Sequence, residues 1–121
     1  MTVQFDEDKQ KRKIDDLLHR EEEDLVQILS SKYGVNYVNL LAVSINTDAL
    51  RLIEEKTARE RLMAAYAISD KKLKIAARNP DDEKTLEVVK GLEEKGYIIE
   101  IDIASTQSLE KAWKMYNDLS F

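Results

Sequence analysis

One histidine, no cysteine and three glycines set narrow bounds on the chemistry this chain can do. Without cysteine there is no thiolate nucleophile, no thiolate metal site and no disulfide framework. His19 would be the only base for a Ser/His/Asp arrangement, and a zinc site built on it would draw its other protein ligands from carboxylates, an uncommon set. Its neighbours, Arg20 and Glu21 to Glu23, mark it instead as a solvated helix position. Gly91 and Gly96 have the spacing of the two glycines of a phosphate loop. That motif continues with Lys and Ser/Thr, and here Tyr97 and Ile98 follow. A phosphate loop also runs from a strand into a helix, whereas this segment ends a helix and opens a strand. The sequence therefore predicts no catalytic residue, no cofactor, no metal and no nucleotide hydrolysis.

Two charged groups remain. Lys72, Lys74 and Arg78 form a basic stripe. Pairing with acidic residues of a neighbouring strand would account for it, each exposed pair being worth little. The other reading is a patch for an anionic ligand or partner. Glu21, Glu22, Glu23 and Asp24 form an acidic turn with apolar residues on both sides. It is the expected partner-docking surface, where complementary charge would speed encounter and set register more than it adds affinity.

Composition limits the partners. The net charge of −5 lacks the field that draws phosphate backbones, so no nucleic acid is expected. No apolar run approaches the ~20 residues of a membrane span, and the charged N-terminus is not a secretory signal. A cytoplasmic protein fits best. Charged residues reach 36%, a surplus that favours long solvated helices.

Periodicity supplies the elements. Met1 to Lys13 is polar and reads as a flexible charged end. Ile14, Leu17, Leu18, Leu25, Ile28 and Leu29 fit one face of a helix ending at Gly34, with a second helix start available at the acidic turn. Val35 to Val43 reads as a connector packed through Tyr37, Val38 and Leu40. Asn46 caps a helix whose Ala49, Leu50, Ile53 and Ala58 share a side.

Met63 to Ile68 and Lys72 to Ala77 flank a charged turn and read as a hairpin. Asn79-Pro80 starts a helix with Thr85, Leu86, Val89 and Leu92 as its buried stripe and Gly96 as its stop. Tyr97 to Ile103 alternates as a strand. Ser105 caps a last helix with Leu109, Ala112, Trp113 and Tyr116 inward. The fold class is α+β. A small mixed sheet, a hairpin plus a parallel strand-helix-strand unit, carries helices on one face and follows an N-terminal helical region.

The order of these parts, with Ala58-Arg59 closing a helix and then Leu73, Ile75, Ala76, Asn79, Pro80 and Asp81, resembles the N-terminal domain of the secretion ATPases. These are the GspE/PilB-type motors of type II secretion and type IV pilus assembly. The resemblance covers about Leu25 to Tyr116, within a domain expected from residue 14 to 121. Where family members carry Pro and Asp, this chain has Asn36 and Asn39, and Glu54 stands where Pro is frequent. The resemblance implies a non-catalytic adaptor that docks a motor, hexameric in the full protein and C-terminal to this chain, onto the cytoplasmic part of an inner-membrane platform protein. Some domains of the family bind cyclic di-GMP through a glycine-bearing motif. The corresponding region, Lys11 to Ser31, contains no glycine and no Arg-Leu-Gly, so tight binding is not expected. The alternative is a free-standing regulatory domain binding a small anionic ligand such as a cyclic dinucleotide.

Overall fold

The computed structural model describes residues 20–119. The expected flexible segment 1–13 lies outside them, as do Ile14, Leu17, Leu18 and His19. In chain order the elements are α1 (20–33), α2 (Thr47–Leu50), α3 (Glu55–Arg61), β1 (Met63–Ser69), β2 (Lys72–Ala77), α4 (Glu83–Glu94), β3 (Ile98–Ile103) and α5 (Thr106–Lys114). A 3-10 turn, Met115–Asp118, extends α5.

Pairing with β1 on one edge and β3 on the other makes β2 the centre of a three-stranded sheet of order β1-β2-β3. β1 runs antiparallel to β2 across Asp70-Lys71, with Asp70 in the left-handed region at φ 58. β3 runs parallel to β2 after the α4 crossover. The hairpin and the strand-helix-strand unit are thus both present. Leu73, Ile75 and Ala77 are fully buried, and Ile99, Ile101 and Ile103 stand beside them in register. On the other face Lys74 and Glu100 are half exposed and pair at 3.4 Å. That face is wet at one end only. Ala76 and Asp102, also partners in register, are buried. A register shift between Ala65 and Ala67 inserts Tyr66 there, and its hydroxyl donates to Asp102 Oδ2.

Side-chain donors close the core. Trp113 Nε1 donates to the Met63 carbonyl at 3.1 Å, and the Arg59 guanidinium lies 5.6 Å from the Trp113 ring centroid while bonding Glu55 at 2.9 Å. The Ala58-Arg59 pair therefore supplies one core methyl and one cation over an indole. The Tyr116 hydroxyl donates to the carbonyls of Leu50 and Ile53, at 3.2 and 2.7 Å, which terminates α2. Burial, followed by the Glu55 charge, pushes this phenol up to about 12, so it remains a donor at neutral pH.

Three expectations need correction. Asn46 to Ala58 forms two helices rather than one. The Leu52 and Ile53 N–H groups bond back to Ala49 and Leu50 in tight turns, and the chain extends at Glu54 (φ −61, ψ 144). Helix α4 begins at Glu83 rather than Pro80, because Asn79–Asp82 closes a turn first, with Asp82 N–H donating to Asn79 O and Pro80 buried at the second position. Leu86 is 41% exposed, and the inward stripe of α4 is Thr85, Val88, Val89 and Leu92.

Trp113→Ala is expected to cost about 3–5 kcal/mol in urea denaturation, since it removes a buried indole and leaves the Met63 carbonyl without its donor. Glu54→Pro should instead raise stability by about 0.5–1 kcal/mol, because the native φ already suits proline. A lower denaturation midpoint for Glu54→Pro would show that the break between α2 and α3 cannot accept the ring.

Candidate docking face

Helix α1 has neither Gly nor Pro within it and stops where Gly34 turns left-handed at φ +68, with Val35 N–H returning to Ser30 O at 3.1 Å. No break occurs at the acidic turn within residues 20–33. The side it presents inward is not the expected one. Val26 is fully buried and Leu29 and Tyr33 partly so, whereas Leu25 is 46% and Ile28 68% exposed.

Two carboxylates explain this rotation. Glu22 Oε1 accepts the Thr106 N–H at 2.6 Å, one of the unpartnered donors at the positive end of α5. Glu23 accepts the hydroxyl of Tyr37. Burial, then the hydrogen bond and charge of Glu23, pushes the Tyr37 phenol up to about 12, so the donor stays protonated. These two ties fix the orientation in which Val26 is buried and Leu25 and Ile28 face outward.

The acidic cluster is thereby divided. Glu22 and Glu23 hold α1 in place, while Glu21 and Asp24 face solvent. With Leu25 and Ile28 these two acids fall at i, i+3, i+4 and i+7, one stripe on the outer side. The sequence pattern gave the acids but not the stripe, because nothing local says which carboxylates will find N–H and O–H donors.

The connector after α1 is pinned. Tyr37 bridges Ile103 in parallel, Val38 N–H donates to Ile103 O at 2.9 Å, and Leu40 N–H donates to Ser108 Oγ at 3.2 Å. Lys111 Nζ clamps the carbonyls of Leu40 and Val43 at 2.7 and 3.2 Å. Leu41 and Val43 project from this clamped loop.

The other candidates fall apart or change character. Gly91 lies within α4 and Gly96 (φ +102) ends it, so the two glycines frame a helix end. Among the described residues no three His, Asp or Glu side chains cluster as a metal site, and no helix is long and apolar enough to cross a membrane. Asp102, which alternation with Ile101 and Ile103 would turn to the solvated face beside the basic stripe, is 4% exposed, and its Oδ1 has no partner among the described residues.

Burial raises the Asp102 carboxyl above the ordinary carboxylate range, and nearby Glu100 adds to this, against the opposing Tyr66 hydrogen bond and Lys74 charge. The folded state therefore holds this proton more tightly than the unfolded chain, and stability due to Asp102 falls as pH rises through its folded value. Asp102→Asn keeps an acceptor for Tyr66 and removes the buried charge, so at neutral pH it should raise stability by about 1 kcal/mol. The gain should shrink as pH falls toward 4 in paired urea titrations. A gain independent of pH would mean that Asp102 is not the titrating group.

The MshEN domain family matches residues 33–119, a span that starts at the last residue of α1. The type IV pilus assembly ATPase PilB of Myxococcus xanthus (strain DK1622) is 29% identical over 96 residues, covering 79% of this chain but 17% of that protein. The structure of MshE with cdg superimposes with a TM-score of 0.64 at 24% identity, over 76% of this chain and 66% of that one. The N-terminal domain of XpsE gives 0.63 at 12% identity, over 81% and 70%. At these identities the structural likeness is one of fold. The family match and the shared fold together place this chain in the MshEN domain family, as an N-terminal domain of the type II secretion and type IV pilus assembly ATPases.

Proposed function

We propose that this domain is a non-catalytic adaptor in the cytoplasm, at the inner membrane through its partners. It would connect a C-terminal motor, hexameric in the full protein, to the cytoplasmic part of an inner-membrane platform protein. The observation that carries the reading is the outer stripe of α1: Glu21, Asp24, Leu25 and Ile28, two acids beside two exposed aliphatics. A purely solvated helix has no use for the aliphatics, and the core has not taken them. Acids at such a rim favour fast encounter with a basic surface, and the aliphatics supply the contact that lasts. The body can hold α1 in this orientation through Glu22 and Glu23 without using the stripe itself.

The fold likeness to MshE, solved with cdg, favours a second reading in which the domain binds a small anionic ligand such as a cyclic dinucleotide. Lys11 to Ser31 lacks the glycines through which the resembled motif would approach such a ligand. On the adaptor reading, calorimetry with cyclic di-GMP should show no micromolar affinity.

The adaptor reading is tested with the platform protein's cytoplasmic part as the probe. Leu25→Ser with Ile28→Ser should weaken binding about tenfold or more by speeding dissociation. Glu21→Lys with Asp24→Lys should mainly slow association and reduce its salt dependence. Unchanged affinity and rates in both pairs, with circular dichroism intact, would move the docking surface off α1. Micromolar cyclic di-GMP binding together with that result would favour the ligand-binding reading.

A further inference from the structure

We propose that the outer edge of β3 is a strand-addition site for an extended segment of a partner protein carrying a basic residue beside Glu100. Among the described residues the sheet ends at β3. Along a strand the backbone groups of successive residues turn to opposite edges. Ile98 N–H donates to Lys71 O at 2.8 Å, so Ile98, Glu100 and Asp102 are turned toward β2. Ile103 is turned away: its N–H donates to Asn36 O at 2.8 Å and its carbonyl accepts from Val38 N–H at 2.9 Å. Ile99 and Ile101 share the direction of Ile103. Among the described residues, the connector's backbone hydrogen bonds to this edge are those at Ile103, on either side of Tyr37. The N–H and C=O groups of Ile99 and Ile101 thus form a template that continues a pairing the chain itself has begun.

Edges of this kind are ordinarily protected by proline, charged side chains, a bulge, extreme shortness or a covering helix or loop, and among the described residues β3 has of these the charges of Glu100 and Asp102 and the connector at Ile103. β3 pairs in unbroken register from Ile98 to Ile103 and contains neither proline nor lysine. Ile98 is 62% exposed, and a groove of about 350 Å³ lined by Lys72, Leu73, Lys74, Ile98, Ile99 and Glu100 opens at the same end.

The charge pattern selects the occupant. An added strand would lay one row of side chains beside Ile99 and Ile101, which calls for apolar residues. The second row would lie beside Ile98 and Glu100. The Glu100 side chain remains 51% exposed with Lys74 on its β2 side, so a cation on the incoming strand completes it. A second copy of this chain fits less well, because antiparallel pairing of two β3 edges centred on Glu100 would set Glu100 against its own copy. This surface is independent of the α1 stripe, and the proposal stands or fails without it.

The probe is a blocked peptide, Thr-Val-Ile-Lys-Val-Thr, titrated into nitrogen-15-labelled protein. Saturable shifts and slowed hydrogen exchange are expected at the Ile99 and Ile101 amides. Replacing the peptide's lysine with glutamate should weaken binding about threefold or more, and Glu100→Lys should reverse the preference. Ile99→Pro removes an outward N–H without removing a β2 bond and should abolish binding. If Ile99→Pro fails to fold, the charge swap decides. No response at these amides with millimolar peptide, or no change of preference in Glu100→Lys, overturns the proposal. Concentration-dependent protection of the same amides without peptide would mean that a second copy fills the edge, and would overturn the stated occupant.

Discussion

A helix that begins inside a protein must have partners for its first N–H groups, and α5 begins inside this one. Ser105 and Ser108 are fully buried. Ser105 Oγ accepts from Ser108 N–H at 3.1 Å, a cap of the kind worth about 1 kcal/mol. The Thr106 N–H is met by Glu22 from α1. The hydroxyl of Ser108 in turn accepts from Leu40 N–H, and one turn later Lys111 holds the Leu40 carbonyl. One helix start therefore fixes the N-terminal helix, the connector and the loop after it. Meanwhile the apolar side of α5 carries Trp113 to the start of β1, and Tyr116 beyond it meets the end of α2.

The orientation of α1 follows from that requirement. A carboxylate at a buried helix start gains a charge-assisted hydrogen bond and a favourable dipole. That tie from Glu22, the bond that Glu23 accepts from the Tyr37 hydroxyl, and Val26 as the single fully buried side chain of the described part of α1 set which side of the helix faces outward. The exposed stripe of Glu21, Asp24, Leu25 and Ile28 thus lies opposite the side by which α1 meets the start of α5. The same reasoning applied to Tyr66 and Asp102 gives the opposite result. There a hydroxyl meets a carboxylate that still has one oxygen unsatisfied, so the charge is held at a cost.

Much of the fold was legible because its signals are local. Gly34, Asn46, Gly96 and Ser105 stop or cap helices through their own backbone or side chain, and each does so here. Alternation in Lys72–Ala77 and Ile98–Ile103 needed no tertiary information to assign faces. Failures came where a distant group decides. Leu25 and Ile28 match a helical stripe, but Thr106 and Tyr37 reverse its sense. Pro80 suits a first helical position, yet it is buried in a turn that precedes the helix. Asp102 alternates with Ile101 and Ile103 as a wet-face residue should, but the bulge at Tyr66 covers it. Of the candidate site, the acidic residues were legible and their division between holding and facing outward was not.

Because the chain has no cysteine, introduced thiols can read the rotation of α1 directly. Single-cysteine variants Leu25→Cys, Val26→Cys and Ile28→Cys can be timed against a thiol reagent under native conditions and in urea. Positions 25 and 28 are expected to react at rates close to those of the unfolded chain, while position 26 is slowed about a hundredfold or more, since it must wait for local opening. Protection at 25 and 28 with ready reaction at 26 would contradict that orientation, placing the aliphatic stripe in the core and leaving no docking face on this helix.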